Sequence, residues 1–286
     1  MDALLQSNLT ESISPVRVFS LVSGKGGVGK TNVVANLAAA LTFTGKRVAV
    51  IDGDLGLANL DLLLGVRPRY TLRDFFTGRR ALTDTCITSP LGITVFPATS
   101  GAPELTRLSH EQKLLFLSEL DTLPNDSDIM LVDTASGISD TVTYFASAAH
   151  EIVLVITPEP TSLADTSALV NVLASVHGEK RFWVIANTVE DETAAQRLLA
   201  ALWRTTDRCV HTSFELLGWI PRDPALTHAV MQQRMVVETA PHSPSARAFT
   251  DLARRLVETT ATTARVKGGL QFFFSGVLAA SLEEKR

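Results

Sequence analysis

A glycine-rich stretch near the start of the chain carries a lysine and a hydroxyl residue at a spacing that suits phosphate chemistry. It runs from Gly24 to Thr31 and fits the pattern G-x-x-x-x-G-K-S/T. Glycines let a backbone wrap round phosphates, so that successive N–H groups point at negative charge. In this pattern Lys30 reaches the β- and γ-phosphates, and the Thr31 hydroxyl is a ligand for Mg²⁺. The predicted nucleotide-binding residues here are Gly24, Lys25, Gly26, Gly27, Val28, Gly29, Lys30, Thr31 and Asn32.

The competing interpretation of this stretch is a glycine-rich turn that binds nothing. Its surroundings argue against that interpretation, because a strand-like apolar run (16–22) precedes it and a helical run (32–44) follows it. Strand, loop and helix therefore stand in the order that a phosphate-binding loop requires.

Aspartates end two other strand-like runs. Asp133 follows the apolar residues 129–132, which is the context of a Walker B aspartate that holds Mg²⁺ directly or through water. Asp52 and Asp54 end the run 47–51. Each of these acids has a structural alternative, a capped strand end or a solvated turn. Their position beside a phosphate loop favours a switch that holds the metal and orients a water molecule.

Strand and helix signals alternate along the whole chain. This alternation predicts an α/β fold with a single doubly wound, mostly parallel sheet, helices on both faces and the site at the carboxyl ends of the strands. We expect a flexible arm over 1–14, one nucleotide-binding domain over 15–262 and a tail over 263–286. The predicted strands are 16–22, 47–51, 92–97, 128–133, 151–157, 181–187 and 216–220. The predicted helices are 32–44, 71–77, 109–120, 139–149, 162–176, 192–203, 225–232 and 245–259.

Composition narrows the class of protein. The 286 residues are 45% hydrophobic, with a net charge of −4 that does not favour a nucleic-acid-binding surface. The two cysteines, Cys86 and Cys209, stand far apart, which suits reduced thiols and offers no zinc or iron–sulfur motif. No apolar run reaches the 18 or so residues that span a bilayer, and we find no secretion signal. We therefore expect a cytoplasmic protein.

The lysine directly after the first glycine, Lys25, carries a family resemblance. The sequence Gly24–Thr31 resembles the deviant Walker A box of the MinD/ParA group of dimerising ATPases. The segments 52–65, 132–140, 157–162 and 241–246 are similar to the flagellar branch of that group. The resemblance covers nearly the whole chain and implies ATP and Mg²⁺ as cofactors. It also implies an ATP-dependent homodimer in which Lys25 contacts the phosphates of the partner's nucleotide.

The resemblance implies roles for the reacting side of the site. Asp54 matches the catalytic aspartate that positions the attacking water, and it acts together with Lys25 and Lys30. Thr31, Asp52 and Asp133 would hold the metal.

The resemblance also implies residues on the base side. Asn187 matches the residue that reads the adenine edge, and Pro221, Arg222 and Asp223 match a second loop beside the adenine. Glu159 resembles a residue that touches the partner's ribose. Gly53 and Ser136 stand where flagellar members often carry alanine, and both remain small.

Apolar residues recur at helical spacing in the C-terminal tail. Leu270, Phe273, Phe274, Val277, Leu278 and Leu282 form this stripe. It suits a short helix that lies in a membrane interface, and it is too short to span the bilayer. Periodicity alone equally allows the stripe to dock on the domain. MinD-type members carry such a tail, which favours reversible association with the inner membrane in the ATP-bound state.

The function that the resemblance implies is an ATP-dependent regulator of flagellar number, acting as an anti-activator. The implied partners are an AAA+ master transcription activator, an FlhF-type GTPase and components of the flagellar switch complex, with no specific DNA binding. Two related alternatives are a ParA-like ATPase that partitions DNA or cargo and a MinD-like ATPase that positions cell division. An iron–sulfur carrier would need clustered cysteines, and the sequence shows no second substrate pocket of a small-molecule kinase or synthetase.

Overall fold

The strands of one central sheet point apolar side chains alternately to its two faces. These side chains fill a core on each face. The computed structural model describes residues 16–102, 105, 107–123, 127–206 and 211–259. The predicted arm (1–14) and tail (263–286) lie outside these residues, so both stay predictions. No helix within the described ranges is long and apolar enough to cross a membrane.

The described part of the chain forms eight strands and eleven helices. The strands are β1 (Arg17–Ser23), β2 (Val48–Gly53), β3 (Ile87–Thr88), β4 (Thr94–Phe96), β5 (Ile129–Ser136), β6 (Glu151–Ile156), β7 (Arg181–Val189) and β8 (Ser213–Pro221). The helices are α1 (Lys30–Phe43), α2 (Leu60–Leu63), α3 (Leu72–Phe76), α4 (Leu82–Thr85), α5 (His110–Thr122), α6 (Asp140–Ala148), α7 (Pro160–His177), α8 (Glu192–Thr205), α9 (Pro224–Met231), α10 (Val236–Thr239) and α11 (Pro244–Glu258).

The strands stand in the order β3-β4-β2-β5-β1-β6-β7-β8. All neighbours run parallel except β3, which pairs antiparallel with β4 at one edge. The predicted doubly wound, mostly parallel sheet is therefore confirmed. The prediction of seven strands was wrong by one, because the two residues of β3 are too few to show an alternating pattern. The one-turn helices α2, α4 and α10 escaped prediction for the same reason.

The two faces of the sheet bury different helices. On one face, Phe19 and Leu21 of β1 pack in a core that α1, α10 and α11 complete. On the other face, Val18 joins a core with α3, α5 and α6, and Val22 joins one with α6, α7 and α8. Strands covered on both faces must be apolar throughout, which is why they read as continuous apolar runs.

The central strands bring the predicted site residues together. β1 lies between β5 and β6, and it leads through the glycine-rich loop into α1. The parallel register of β2 and β5 places Asp52 directly beside Asp133. Two acids that are far apart in sequence therefore meet at the carboxyl edge of the sheet, next to the loop.

Candidate nucleotide-binding site

The glycine-rich loop needs glycine at several of its positions. Gly27 and Gly29 have φ angles of 80° and 85°, a left-handed conformation that other residues rarely adopt. A Cβ atom on Gly24 would lie 2.1 Å from the carbonyl carbon of Asp165 in α7. The loop thus packs against α7 as well as turning into α1, and a larger residue at Gly24 would push the two apart.

Lys30 lies at the centre of the buried charges. Its ammonium group donates to Oδ1 of Asp133 and to the carbonyl oxygen of Thr134. Lys30 and Asp133 are only 7% and 1% exposed. A buried ion pair of this kind is maintained only where both groups are well bonded, because desolvation costs each of them several kcal/mol. The lysine predicted to reach phosphates is thus held beside the predicted metal ligand.

Asp52 has unused hydrogen-bonding capacity. Its Oδ1 accepts a hydrogen bond from the backbone N–H of Asp54 at 3.2 Å, whereas its Oδ2 is buried and has no partner among the described residues. Burial raises the pKa of Asp52 well above its usual range, and the adjacent charge of Asp133 raises it further. Two carboxylates face one ammonium here, so the cluster has room for a further positive charge.

The metal prediction fits this set of donors. Mg²⁺ is commonly held by one or two carboxylates together with substrate phosphates rather than by a complete protein cage. Within the described ranges, no group of three or more His, Cys, Asp or Glu side chains is arranged to hold a metal ion alone. Asp52, Asp133 and the Thr31 hydroxyl at the start of α1 are the residues that would hold Mg²⁺ beside bound phosphates.

Asp54 lies at the mouth of the cluster. It is partly exposed, and its Oδ1 accepts a hydrogen bond from the backbone N–H of Leu57 at 3.0 Å. This bond shapes the beginning of the segment 54–65, which we call the switch loop. The carboxylate therefore borders both the buried charges and a surface loop, a position that suits the predicted role of orienting water.

Lys25 and Glu159, predicted to act across a dimer, contact each other within this chain. The Lys25 ammonium donates to Oε2 of Glu159, the residue before α7, and the two side chains are 33% and 58% exposed. An exposed ion pair of this type contributes about 1 kcal/mol or less and is readily exchanged. The lysine is thus placed at the surface of the loop and not inside it.

Asn187 supports the phosphate loop directly. Its Nδ2 donates to the carbonyl oxygen of Val28 at 2.7 Å, and its Oδ1 accepts from the N–H of Thr188 at 3.0 Å. A Cβ on Gly29 would lie 2.7 Å from the same Nδ2, so this glycine also makes room for the amide. Thr188 has a φ angle of 58°, at a register shift between β7 and β8 that turns Asn187 towards the loop. The role in reading adenine stays a prediction.

Asp223 connects two helices. Its Oδ1 accepts from the N–H of Ala225 at the start of α9. Its Oδ2 accepts from the N–H and the hydroxyl of Ser245 in α11, at 3.0 and 2.6 Å. Burial alone would raise the pKa of Asp223, but the hydrogen bonds from Ser245 and Ala225 lower it below its usual value. The neighbouring Pro221 and Arg222 lie at the end of β8, and Arg222 is exposed.

Sequence reasoning missed two supporting contacts. Thr134 offers only its backbone carbonyl to Lys30, which any residue type would provide, so no sequence signal existed. Asn36 lies one turn after Asn32 on α1, and its Oδ1 accepts from the N–H groups of Val236 and Val237 at 2.8 and 3.3 Å. The available sequence signal was the amide side chain of Asn36 on an otherwise apolar helix. This side chain caps the start of α10. The Oδ1 atom of Asn32 is buried without a partner among the described side chains.

The loop, the paired acids at the strand ends and the parallel sheet define a P-loop nucleoside triphosphatase. A profile of the ParA family, described as "NUBPL iron-transfer P-loop NTPase", matches residues 15–257. The chain belongs to this ParA family. The chain is therefore a P-loop ATPase that works with ATP and Mg²⁺, and the donor set described above fits both.

Several individual proteins resemble the chain over most of its length. Antiactivator FleN of Pseudomonas aeruginosa is 41% identical, covering 92% of this chain and 93% of that protein. The flagellum site-determining protein YlxH of Helicobacter pylori is 30% identical, covering 92% and 90%. The structure of the septum site-determining protein MinD from Pyrococcus horikoshii, complexed with Mg-ADP, superposes with a TM-score of 0.72 at 27% identity, covering 88% of this chain and all of that one.

Proposed function

We propose that this chain is a regulatory ATPase that controls flagellar number through an ATP-dependent dimer. The observation that carries the proposal is the 41% identity to an antiactivator, FleN, over nearly the full length of both chains. A second relative with nearly full coverage is named for flagellum site determination. Slow turnover suits such a regulator, because hydrolysis then acts as a timer.

The buried charges supply the binding chemistry of the proposed switch. Lys30 would exchange its bonds to Asp133 and Thr134 for bonds to the β- and γ-phosphates. Asp52, Asp133 and Thr31 would hold Mg²⁺ once that lysine has moved. The metal, when bound, supplies positive charge against the phosphates. Asp54 orients a water molecule towards the γ-phosphate, whether or not one of its oxygens keeps the hydrogen bond to Leu57.

The exposed pair of Lys25 and Glu159 supports the proposed dimer. In the single chain, Glu159 neutralises the lysine that the dimer needs for the partner's phosphates. Both side chains lie on the surface beside the loop, so a second copy reaches them without unfolding either chain. ATP adds phosphate charge that competes with Glu159 for Lys25, and this competition favours the dimer when ATP is present.

The finer partners belong to the same proposal. The AAA+ flagellar master activator, an FlhF-type GTPase and the flagellar switch complex are the protein partners, with the chain acting as an anti-activator. The cytoplasmic dimer associates peripherally with the inner membrane through the tail 263–286, because two tails bind more tightly than one. Specific binding to DNA is not part of the function.

Size-exclusion chromatography with light scattering tests the switch. Asp54→Ala is expected to elute as a dimer in ATP and as a monomer in ADP, with ATP affinity close to that of the parent and turnover removed. Asp61→Ala, which removes another carboxylate of the switch loop, is the matched control and should hydrolyse ATP normally. A monomer in saturating ATP for both the parent and Asp54→Ala would reject the switch.

Complementation tests the flagellar role separately. The chain is expressed in Pseudomonas aeruginosa that lacks FleN, and flagella are counted per cell by electron microscopy. The parent is expected to lower the flagellar number, and Lys30→Ala is expected to leave it unchanged. If the expressed chain dimerises with ATP but does not alter the count, the flagellar assignment fails while the switch stands.

A role in positioning cell division is the second candidate. It is favoured by the structural likeness to MinD, at a TM-score of 0.72. The same strains distinguish the two functions, because a division regulator would change cell length or produce minicells without changing the number of flagella.

A further inference from the structure

Five arginines cluster in a short segment of this acidic protein. Between residues 66 and 80 there are five arginines, no lysine and one aspartate, a formal charge of +4. The whole chain carries −4, so the remainder carries −8. The arginines are Arg67, Arg69, Arg73, Arg79 and Arg80. The four exposed ones, Arg67, Arg69, Arg79 and Arg80, together with Tyr70 form what we call the arginine surface.

Tyr70 organises part of this surface. The guanidinium carbon of Arg80 lies 4.2 Å from the centre of its ring, and that of Arg69 lies 5.2 Å from it. Arg80 also donates to the Tyr70 hydroxyl at 2.9 Å. Contacts of this kind hold an exposed guanidinium in place, so less side-chain entropy remains to be lost when a ligand binds. Two positive groups are therefore pre-positioned at one aromatic ring.

The neighbouring arginines leave positive charge at the surface. Arg79 is 66% exposed, and its contact with Asp74 is long, at 3.9 Å. Asp74 is also engaged by the backbone N–H of Thr71 at 3.0 Å. Arg67 and Arg69 are exposed as well. Arg67, Arg69 and Arg79 therefore present positive charge at the surface.

The arginine surface is bonded to the switch loop through the residues that follow β4. The Thr71 and Thr99 hydroxyls lie 2.5 Å apart. The Ser100 hydroxyl donates to the carbonyl of Ala58 at 2.8 Å, and the N–H of Gly101 donates to the carbonyl of Gly56 at 3.0 Å. These bonds connect the switch loop to Thr71, which caps the start of α3 and follows Tyr70 in the chain.

We propose that the arginine surface binds an acidic segment of a partner polypeptide. Guanidinium groups bind carboxylates through two parallel hydrogen bonds, and they stay charged at any physiological pH. The inference rests on the proposed function only in taking the partner to be a protein whose binding follows the nucleotide state. It adds the chemistry of that partner and the place where it docks.

A nucleic acid fits this surface less well. A long polyanion that contacts the arginines also crosses a protein surface whose remaining charge is −8. Two guanidinium groups already lie over the Tyr70 ring, which would otherwise stack on a base. A short acidic peptide meets neither obstacle, so the charge distribution favours it.

Fluorescence anisotropy with a labelled oligoglutamate peptide tests the inference. The parent is expected to bind, and the double charge reversal Arg69→Glu/Arg80→Glu is expected to weaken binding by about tenfold or more. The neutral pair Arg69→Gln/Arg80→Gln should give a smaller loss and guards against a folding defect. The matched control Arg197→Glu/Arg204→Glu reverses two exposed arginines on α8 and should change the affinity by less than about twofold.

Three results would overturn the inference. They are equal loss in the control pair, no loss in either variant of the arginine surface, and tighter binding of the parent to duplex DNA than to oligoglutamate at the same salt. ATP-dependent dimerisation is measured on the same samples, and the charge-reversed variant is expected to dimerise like the parent. If dimerisation occurs and oligoglutamate binding is unaffected, this inference fails alone. If oligoglutamate binds as expected and no dimer forms, the proposed switch fails instead.

Discussion

Polar side chains at the two ends of the sheet's carboxyl edge differ in how much of their hydrogen-bonding capacity is used. On the phosphate side, at β1, β2 and β5, Asp52 keeps a buried oxygen without a partner in the described structure, and Lys30 is shared between two acceptors. On the other side, at β7 and β8, where the adenine is predicted to bind, Asn187 and Asp223 are bonded to backbone and hydroxyl groups. The Asp52 oxygen is thus available to a ligand, whereas Asn187 and Asp223 already use their side-chain oxygens within the protein.

Loss of Lys30 has the largest expected effect, because it removes the positive charge that is predicted to bind the phosphates. We expect Lys30→Ala to weaken ATP binding by at least about a hundredfold, which corresponds to about 3 kcal/mol. Turnover should be lost together with binding. Isothermal titration calorimetry measures the affinity, with Lys180→Ala as the exposed control. Binding within a few-fold of the parent would show that the buried ion pair is only structural.

Asp223→Ala tests the support on the opposite side. It removes the cap of α9 and both bonds to Ser245, so we expect the free energy of unfolding to fall by about 2 kcal/mol or more. Asp191→Ala is the control, because Asp191 caps α8 through one bond, to Ala194 at 2.7 Å, and should cost about 1 kcal/mol. Urea unfolding gives both values.

The pH dependence of the free energy of unfolding gives a second test of Asp223. The pKa of Asp223 is lowered in the folded chain, so its contribution is present above the unfolded value of about 3.9 and is lost as the pH falls through the folded pKa. The stability gap between the parent and Asp223→Ala should therefore narrow below about pH 4. A gap that is constant with pH would mean that the carboxylate charge does not matter.

Asn187→Ala asks whether Asn187, at the end of β7, contributes to phosphate binding. If the bond to Val28 supports the loop, inorganic tripolyphosphate, which has no adenine, should bind about tenfold more weakly, a change of about 1.4 kcal/mol. Competition against a fluorescent ATP analogue measures this affinity. If tripolyphosphate binds normally while ATP loses its advantage over GTP, the residue reads adenine and does not support the loop.

Asp52→Asn has the smallest expected effect on the free energy of unfolding, and the sign is opposite to that of Asp223→Ala. The pKa of Asp52 is raised by burial, so the unfolded chain loses this proton at a lower pH than the folded one. Folding is therefore penalised increasingly as the pH rises from about 4 towards the folded pKa. In buffer without nucleotide or Mg²⁺ at neutral pH, the variant should melt about 2–4 °C higher than the parent, for a gain of about 1 kcal/mol.

The same variant should lose Mg²⁺-dependent turnover. A gain in stability with a loss of activity would show that the buried charge is retained for the ligand. Equal melting temperatures at pH 7 would mean that Asp52 is compensated within the protein, and the contrast between the two sides of the sheet edge would disappear.

The sequence alone determined the class of fold and the phosphate side of the site. Continuous apolar runs that alternate with helices require a parallel sheet covered on both faces, and the carboxyl ends of parallel strands converge. Asp52 and Asp133 could therefore be placed beside the loop from their positions after two strands. Membership of the ParA family was likewise predicted from local residues and is confirmed.

Only the tertiary structure decided which atoms these residues use. Lys30 and Asp133 are 103 positions apart, and Asn187 and Val28 are 159 apart. Partners over such separations depend on strand register and on close backbone approach, and no local pattern encodes either. The same reason explains why the bonds that join Asp223 to α9 and to Ser245 of α11 were not foreseen, and its place in an adenine-side loop stays a prediction. Residue types predicted the chemistry, and packing decided how much of each group's hydrogen-bonding capacity is already used within the protein.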